Sequence, residues 1–519
     1  MIIHANTLHM NKNLKIVILV TAFFLTAALS YAQPTLLWVK EHNGGDDLGK
    51  AVATDYYGNV YVTGVSYQEG AYTAKYDAQG TLVWEQITTL ELNTKILVDS
   101  EQNSYVMSEY YVMKFDSSGV FQWVHPFTGY NNMTMDVNYL YITGYKINIQ
   151  SNRQIYTTKI SRETGNEIWA RTFNAPNPVP IDDGYDIKVD SLGNIYVAGE
   201  VNHTNTLVSY FSTDVAVLKY DKDGNLLWSN IFRFPPKISD YSSHHVTGLE
   251  IANNAIYVAG SVEDSLPASG PMFIFKPFLL KYDPDGNLQW SKSYHRVYDW
   301  DYTFDFKYDS VTNALVLLSN LTINGSLDAS VLKFDTDGNM LFNSIYDNPS
   351  FNDEFEKVCL DAIGNIYVCG HVNNKMAVAK YNSSGNLEWL MNYGNTGIAH
   401  GIALDNENNV LVTGFNDTPA AVFTTLKYSS TTTGIQNSTG HEFNVDIYPN
   451  PANDVLTVTT DNVIHSIMIT NLTGQVIYNN EINSGQVNIN TSGFDNGIYL
   501  LTVHTKNGIF TRKISIVKN

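Results

Sequence analysis

Side chains able to carry chemistry gather in two stretches, Tyr294-His295-Arg296-Val297-Tyr298-Asp299-Trp300-Asp301-Tyr302 and a segment holding Arg233, His244 and His245. Aromatic faces beside carboxylates suit sugar rings, which offer apolar C–H surfaces for stacking and hydroxyls for hydrogen bonds. Tyr294, His295, Tyr298, Trp300, Arg233, His244 and His245 are therefore candidate ligand-binding residues. The competing reading is that these aromatics pack a long loop against the body of the protein. The histidine pair is a weak metal signal, because adjacent residues on a strand point to opposite faces and only a loop could aim both at one ion.

A second set is acidic. The pattern Asp-x-x-Gly-Asn recurs along the chain, and counting eight residues back from its Asp gives Asp47, Glu91, Asp182, Asp301 and Asp353. If the repeats close into a ring, these carboxylates circle one mouth of its central channel. Like charges so gathered need a compensating donor or cation. Calcium, which favours oxygen ligands, is the candidate cofactor and could bridge to a sugar acid. The alternative is that each acid accepts hydrogen bonds from loop amides of its own or the next repeat. The segments Asp221-x-Asp223-Gly224, Asp283-x-Asp285-Gly286 and Asp335-x-Asp337-Gly338 open like calcium loops but lack the later ligands, and read as ordinary turns.

No His-Glu-x-x-His helix, Gly-x-Ser-x-Gly elbow or phosphate-cradling glycine loop occurs, so no catalytic residue is assigned. The net charge of -20, from 51 acids and 31 bases, comes without a dense Lys/Arg block. Nucleic acid and anionic membrane surfaces are disfavoured as partners. Two cysteines, Cys359 and Cys369, flank one hairpin turn; they read either as a disulfide, which export would permit, or as two small buried residues on neighbouring strands.

The elements that must position these residues are repeats. Lys75-Tyr76-Asp77-Ala78-Gln79-Gly80-Thr81-Leu82-Val83-Trp84 recurs at Lys114, Lys219, Lys281, Lys333 and Lys380, more loosely at Lys159, and in part at Lys427. Seven of the eight tryptophans fall on its last position: Trp38, Trp84, Trp123, Trp169, Trp228, Trp290 and Trp389, with Phe342 replacing the indole once. These eight aromatics are expected to dock successive units together. Upstream in each unit lies a second motif, clearest at Asp55 to Gly64, Asp190 to Gly199, Asp361 to Gly370 and Asp405 to Gly414. Each motif reads as strand, tight turn, strand, so one unit has four antiparallel strands that bury their faces only against neighbouring units. The first docking strand, Thr35 to Trp38, has no Lys-Tyr strand before it, and Lys427-Tyr428 has no Leu-x-Trp after it. Together they complete one blade and remove two exposed edges.

The fold expected is all-β: a β-propeller of four-stranded blades, eight by count with seven as the alternative, over residues 33–429. The motifs resemble the bacterial β-propeller repeat family, whose units read Asp-x-x-Gly-Asn-x-Tyr-Val-x-Gly followed by a Lys-Tyr/Phe-Asp strand. Residues 1–32 read as a signal peptide: Lys12 and Lys15, an apolar run from Ile16 to Leu29, and Ser30-Tyr31-Ala32 before the expected cleavage at Gln33.

A polar linker is expected over residues 430–442, then a small immunoglobulin-like β-sandwich over 443–519. Its Tyr448-Pro449-Asn450-Pro451, Asn471-Leu472-Thr473-Gly474, Asn496-Gly497-Ile498-Tyr499 and Arg512-Lys513-Ile514-Ser515 resemble, in that order, the type A sorting domain of type IX secretion. That resemblance implies the type IX machinery as a partner and a secreted or cell-surface location. The ring is then expected to be a monomeric binding scaffold for a glycan or another envelope ligand. The alternative is an extracellular polysaccharide lyase or hydrolase on the same platform.

Overall fold

The computed structural model describes residues 33–430 and 445–518, except 89–92, 128, 150–151, 177–180, 204–211, 235–241, 266–272, 295–300, 324, 349–350, 418–419, 472–475 and 506–507. The expected signal peptide and linker, and the candidates Glu91, His295, Tyr298 and Trp300, lie outside the described residues.

Pro34–Thr431 forms one unit of eight four-stranded antiparallel sheets. Blades 1 to 7 begin with Asp47–Thr54, Asn93–Val98, Tyr130–Met135, Asp183–Val189, Ser242–Ala252, Thr303–Asp309 and Glu354–Leu360, each followed by three further strands in chain order. Blade 8 takes Gly397–Leu404, Val410–Asp417 and Ala421–Tyr428 from one end of the ring and Leu36–His42 from the other. The closure expected from the two half-motifs is present: Trp38 lies opposite Lys427, as Trp84 lies opposite Lys75. The count of eight blades stands. First strands of neighbouring blades touch one another and form the inner wall of the ring, while each last strand alternates exposed and half-buried residues at the rim.

Two local devices repeat. In the turn between the third and fourth strands, Asp77 Oδ1 accepts the amides of Gln79 and Thr81, and Gly80 takes a φ of 83°. The docking aromatic of the preceding blade lies flat on that glycine: a Cβ on Gly119 would come within 2.6 Å of Trp84, and one on Gly385 within 2.6 Å of Phe342. Only glycine serves both the turn and the aromatic ring. The Trp84 indole and the Lys75 ammonium then donate to the same carbonyl, Ser117 O of blade 2, at 3.2 and 3.3 Å. Lys114 with Trp123 on Arg162 O, Lys159 with Trp169 on Lys222 O, Lys219 with Trp228 on Pro284 O, and Lys427 with Trp38 on Ala78 O repeat this clamp.

The second device is a bulge in every first strand. The register shifts between Gly49 and Ala51 in blade 1, and comparably in the other seven blades. The strand opposite passes so close that a Cβ on Gly64 would lie 2.0 Å from Leu48 O, and one on Gly370 1.9 Å from Glu354 O. Bulges tighten the local twist and re-aim side chains. Here they turn Lys50, Glu356 and His400 towards the centre.

Residues 445–518 form a separate five-stranded antiparallel sheet, in which the 17-residue strand Val455–Asn471 bends through register shifts between Thr459 and Ser466. The sheet curls around one core that includes Leu456, Val458, Ile467, Leu501 and Ile514. Asn450 accepts the backbone N–H of Ser515, tying the Tyr-Pro-Asn-Pro opening to the closing strand.

Candidate functional site

Because strands alternate in direction, all first strands start, and all second strands end, on the face carrying the variable connections. Five described side chains meet there at the edge of the channel. His245, near the start of the first strand of blade 5, lies between two carboxylates: Nδ1 is 3.9 Å from Glu200 of blade 4 and Nε2 is 3.9 Å from Glu263 of its own blade. Its ring faces Phe275 and Tyr302, with centroids 6.1 and 6.4 Å away, and Tyr302 of blade 6 stacks on Phe275 at 3.9 Å. Phe275 is buried and fixes the platform, and Tyr302 is 38% exposed.

The electrostatics follow from burial. Desolvation pushes the Glu200 carboxyl up to about 7, against the pull of His245 and the Val246 amide that it accepts. Burial alone would lower His245, but hydrogen bonding to Glu263 and the charges of Glu200 and Glu263 raise it overall. Beside them, Asp183 is raised by desolvation although Arg153 donates to it at 3.1 Å, and burial with the charges of Glu200 and Asp183 raises Tyr185. Glu200 and His245 are thus both shifted upwards within one compact group.

The structure separates the sequence candidates. His244 and His245 point to opposite faces. His244 is fully buried, bonded through Nδ1 to Thr213 O at 2.6 Å and through Nε2 to the Phe234 amide, and it joins blades 4 and 5. Arg233 is bonded to Asp214 at 2.6 and 3.1 Å within blade 4. Tyr294 donates to Gly338 O at 2.7 Å and packs on Phe334, a rim contact between blades 5 and 6. Of the described candidates only His245 reaches the mouth platform.

The acids eight residues before the turns sit where each chain enters its first strand. Asp182 accepts the amides of Ala175 and Asn202 at 3.0 Å, and Asp353 those of Asn348 and Asn373 at 2.8 and 3.0 Å. Asp47 accepts Gly44 N–H, and Asp301 the Ser319 hydroxyl at 2.6 Å. Asp182 and Asp353 fasten the incoming connection to the second strand or the loop after it, Asp301 reaches the second strand, and Asp47 holds the incoming connection. Among the described residues, no three His, Cys, Asp or Glu side chains are grouped to hold a metal ion. In the Asp-x-Asp-Gly turns the leading carboxylates are taken by nearby amides; Asp221 accepts those of Asp223 and Asn225, and the Asn225 side chain holds it below the ordinary range. Cys359 and Cys369 are both free thiols, opposite Tyr367 and Lys357 rather than each other.

Sequence reasoning missed the residues of the channel itself. A cavity of about 340 Å³ runs along the inner wall, lined by Lys50, Lys95, Lys188, Lys307, Lys357 and their neighbours. The signal is present in the sequence: residues two, four and five positions before the turn Asp include all five lysines, whereas the periodic acids lie eight positions before it.

The C-terminal unit decides how the chain travels. Residues 446–518 match the family described as secretion system C-terminal sorting domain. The C-terminal unit is a type IX secretion sorting domain. It directs export to the cell surface or the extracellular space. The ring is similar to the solved structure of the Dos1 propeller, with a TM-score of 0.51 at 10% identity, over 76% of this chain and 95% of that one. The β-propeller domain of the Trilobed protease from Pyrococcus furiosus also matches, with a TM-score of 0.38 at 10% identity, over 66% of this chain and 98% of that one. No curated protein matches the sequence significantly.

Proposed function

We propose that this exported propeller is a monomeric binding scaffold that takes a glycan at the variable mouth. One observation carries the reading: a partly exposed Tyr302, stacked on Phe275, stands beside His245, Glu200 and Glu263. A sugar ring can stack its C–H face on such an aromatic while its hydroxyls bond the imidazole and carboxylates. The test is a glycan-array screen of the secreted protein followed by titration of the best binder. Tyr302→Ala should weaken binding about tenfold, the loss of roughly 1.4 kcal/mol of stacking, with little change in melting. Absence of any bound glycan, or wild-type affinity in Tyr302→Ala, would overturn the reading.

A second reading is favoured by one feature of the same group. Glu200, poised near neutrality beside His245 and Tyr185, has the proton-transfer character of a general acid or base. It supports an extracellular polysaccharide lyase or hydrolase. Chain shortening of a bound polysaccharide by the wild type but not by Glu200→Gln would select this reading over the scaffold.

A further inference from the structure

The inner wall carries charge unevenly around the ring. Across blades 3 to 6 it is stitched and nearly neutral. Asn132 donates to Asp186 at 2.9 Å, and Asp186 accepts the Leu249 amide of blade 5 at 2.8 Å. Lys188 pairs with Glu250 at 2.9 Å; Lys307 lies 3.6 Å from Asp305, which also accepts the Val358 amide of blade 7. Every one of these carboxylates is engaged.

The arc formed by blades 7, 8, 1 and 2 is different. Glu356 is bonded to His400 at 2.8 Å, and among the described residues no carboxylate of these four blades lines the cavity. Lys357, Lys50 and Lys95 enter from blades 7, 1 and 2, and none has a carboxylate at ion-pair distance among the described residues. Among the described residues, Lys95 bonds the Asn132 side-chain oxygen. Three ammoniums thus face one cavity on one side of a chain whose net charge is -20. Within low-dielectric walls such an excess concentrates the field and draws counter-ions in. Desolvation lowers Lys50 against the pull of Glu356, and lowers Lys95 to about 8 against the pull of Asp186, with Lys307, Lys188 and Lys357 adding repulsion.

We propose that the central channel binds a small polyanion, a molecule carrying two or more carboxylate or phosphate groups, through Lys50, Lys95 and Lys357. The volume of about 340 Å³ suits a compact molecule and excludes a folded partner. Three convergent cations reward several anionic groups on one molecule over a single charge. The site is separate from the Tyr302 platform and does not depend on the glycan reading.

The experiment is thermal melting of the full secreted protein with citrate or pyrophosphate, at ionic strength matched with sodium chloride, with glucose as the uncharged control. Binding to the folded state should raise the Tm in proportion to the logarithm of anion concentration. A response to citrate assigns carboxylate groups, and one to pyrophosphate assigns phosphate groups. Lys50→Met and Lys357→Met, tested singly, break none of the hydrogen bonds described and should each weaken the response at least tenfold in anion concentration. Tyr302→Ala should leave it intact. No shift with either anion beyond the chloride control, or equal shifts in both lysine variants and the wild type, would overturn the proposal. If one lysine variant fails to fold, the other decides.

Discussion

On the turn face of the ring, Asp, Lys and Trp recur at fixed positions: Asp fastens its own turn, and in five of the eight blades Lys and Trp donate to one carbonyl of the next blade. At the variable mouth and along the inner wall, equivalent positions hold Lys in one blade, Asn, Asp or Gly in another, and the charges are shifted or unmatched. The turn face shows what a blade needs to hold its neighbour. The mouth and channel show where the chain is free of that need and can present chemistry. Repetition marks the scaffold, and departure from repetition marks the site.

The sharpest way to break the comparison is to attack a repeated position. Lys333 pairs with Asp309 at 2.9 Å, with both side chains almost fully buried, and also donates to Ser383 O of the next blade. Lys333→Met strands a buried carboxylate and should cost about 3–5 kcal/mol in urea unfolding. Lys357→Met, an exposed channel lysine, should stay within about 0.5 kcal/mol of the wild type in buffer without polyanions. Equal losses in the two variants would erase the distinction.

A smaller effect sharpens it. An unfolded Glu titrates near 4.5, so between there and about 7 the folded state keeps a proton on Glu200 that the unfolded chain has released. Stability therefore falls as pH rises through that interval. His245, raised above 6.5, adds a loss in the same direction at higher pH. Glu200→Gln should remove on the order of 2 kcal/mol of this decline, measured as the pH dependence of the denaturation midpoint from pH 4 to 8. An unchanged slope would show that Glu200 does not hold its proton up to neutral pH as described.

How much of this was legible in the sequence follows from the same contrast. The blade count, the closing strand and the docking aromatics could be read because Trp84 and its equivalents repeat with their glycines. The partner of those tryptophans was less visible: Lys75 was noticed as a motif letter, but only the shared carbonyl of Ser117 explains it. Asp182 and Asp353 were found by periodicity, and periodicity is what structural hydrogen bonding produces. Glu200, Glu263 and Phe275 could not be found this way, because they come from three strands in two blades and share no spacing. The first-strand bulge adds one residue that does not show as an insertion, which hid the aim of Lys50 and His400 into the channel.

The most direct test crosses the two regions in one experiment, measuring unfolding free energy and glycan affinity for Trp84→Ala and Tyr302→Ala together. Trp84 clamps blade 2 and is nearly buried, so its loss should cost about 3–5 kcal/mol while the remaining folded protein binds as the wild type does. Tyr302→Ala should show the reverse, with stability kept and affinity reduced about tenfold. If Trp84→Ala loses affinity as strongly as Tyr302→Ala, or if Tyr302→Ala is destabilised as strongly as Trp84→Ala, scaffold and site are not separate and the account is wrong.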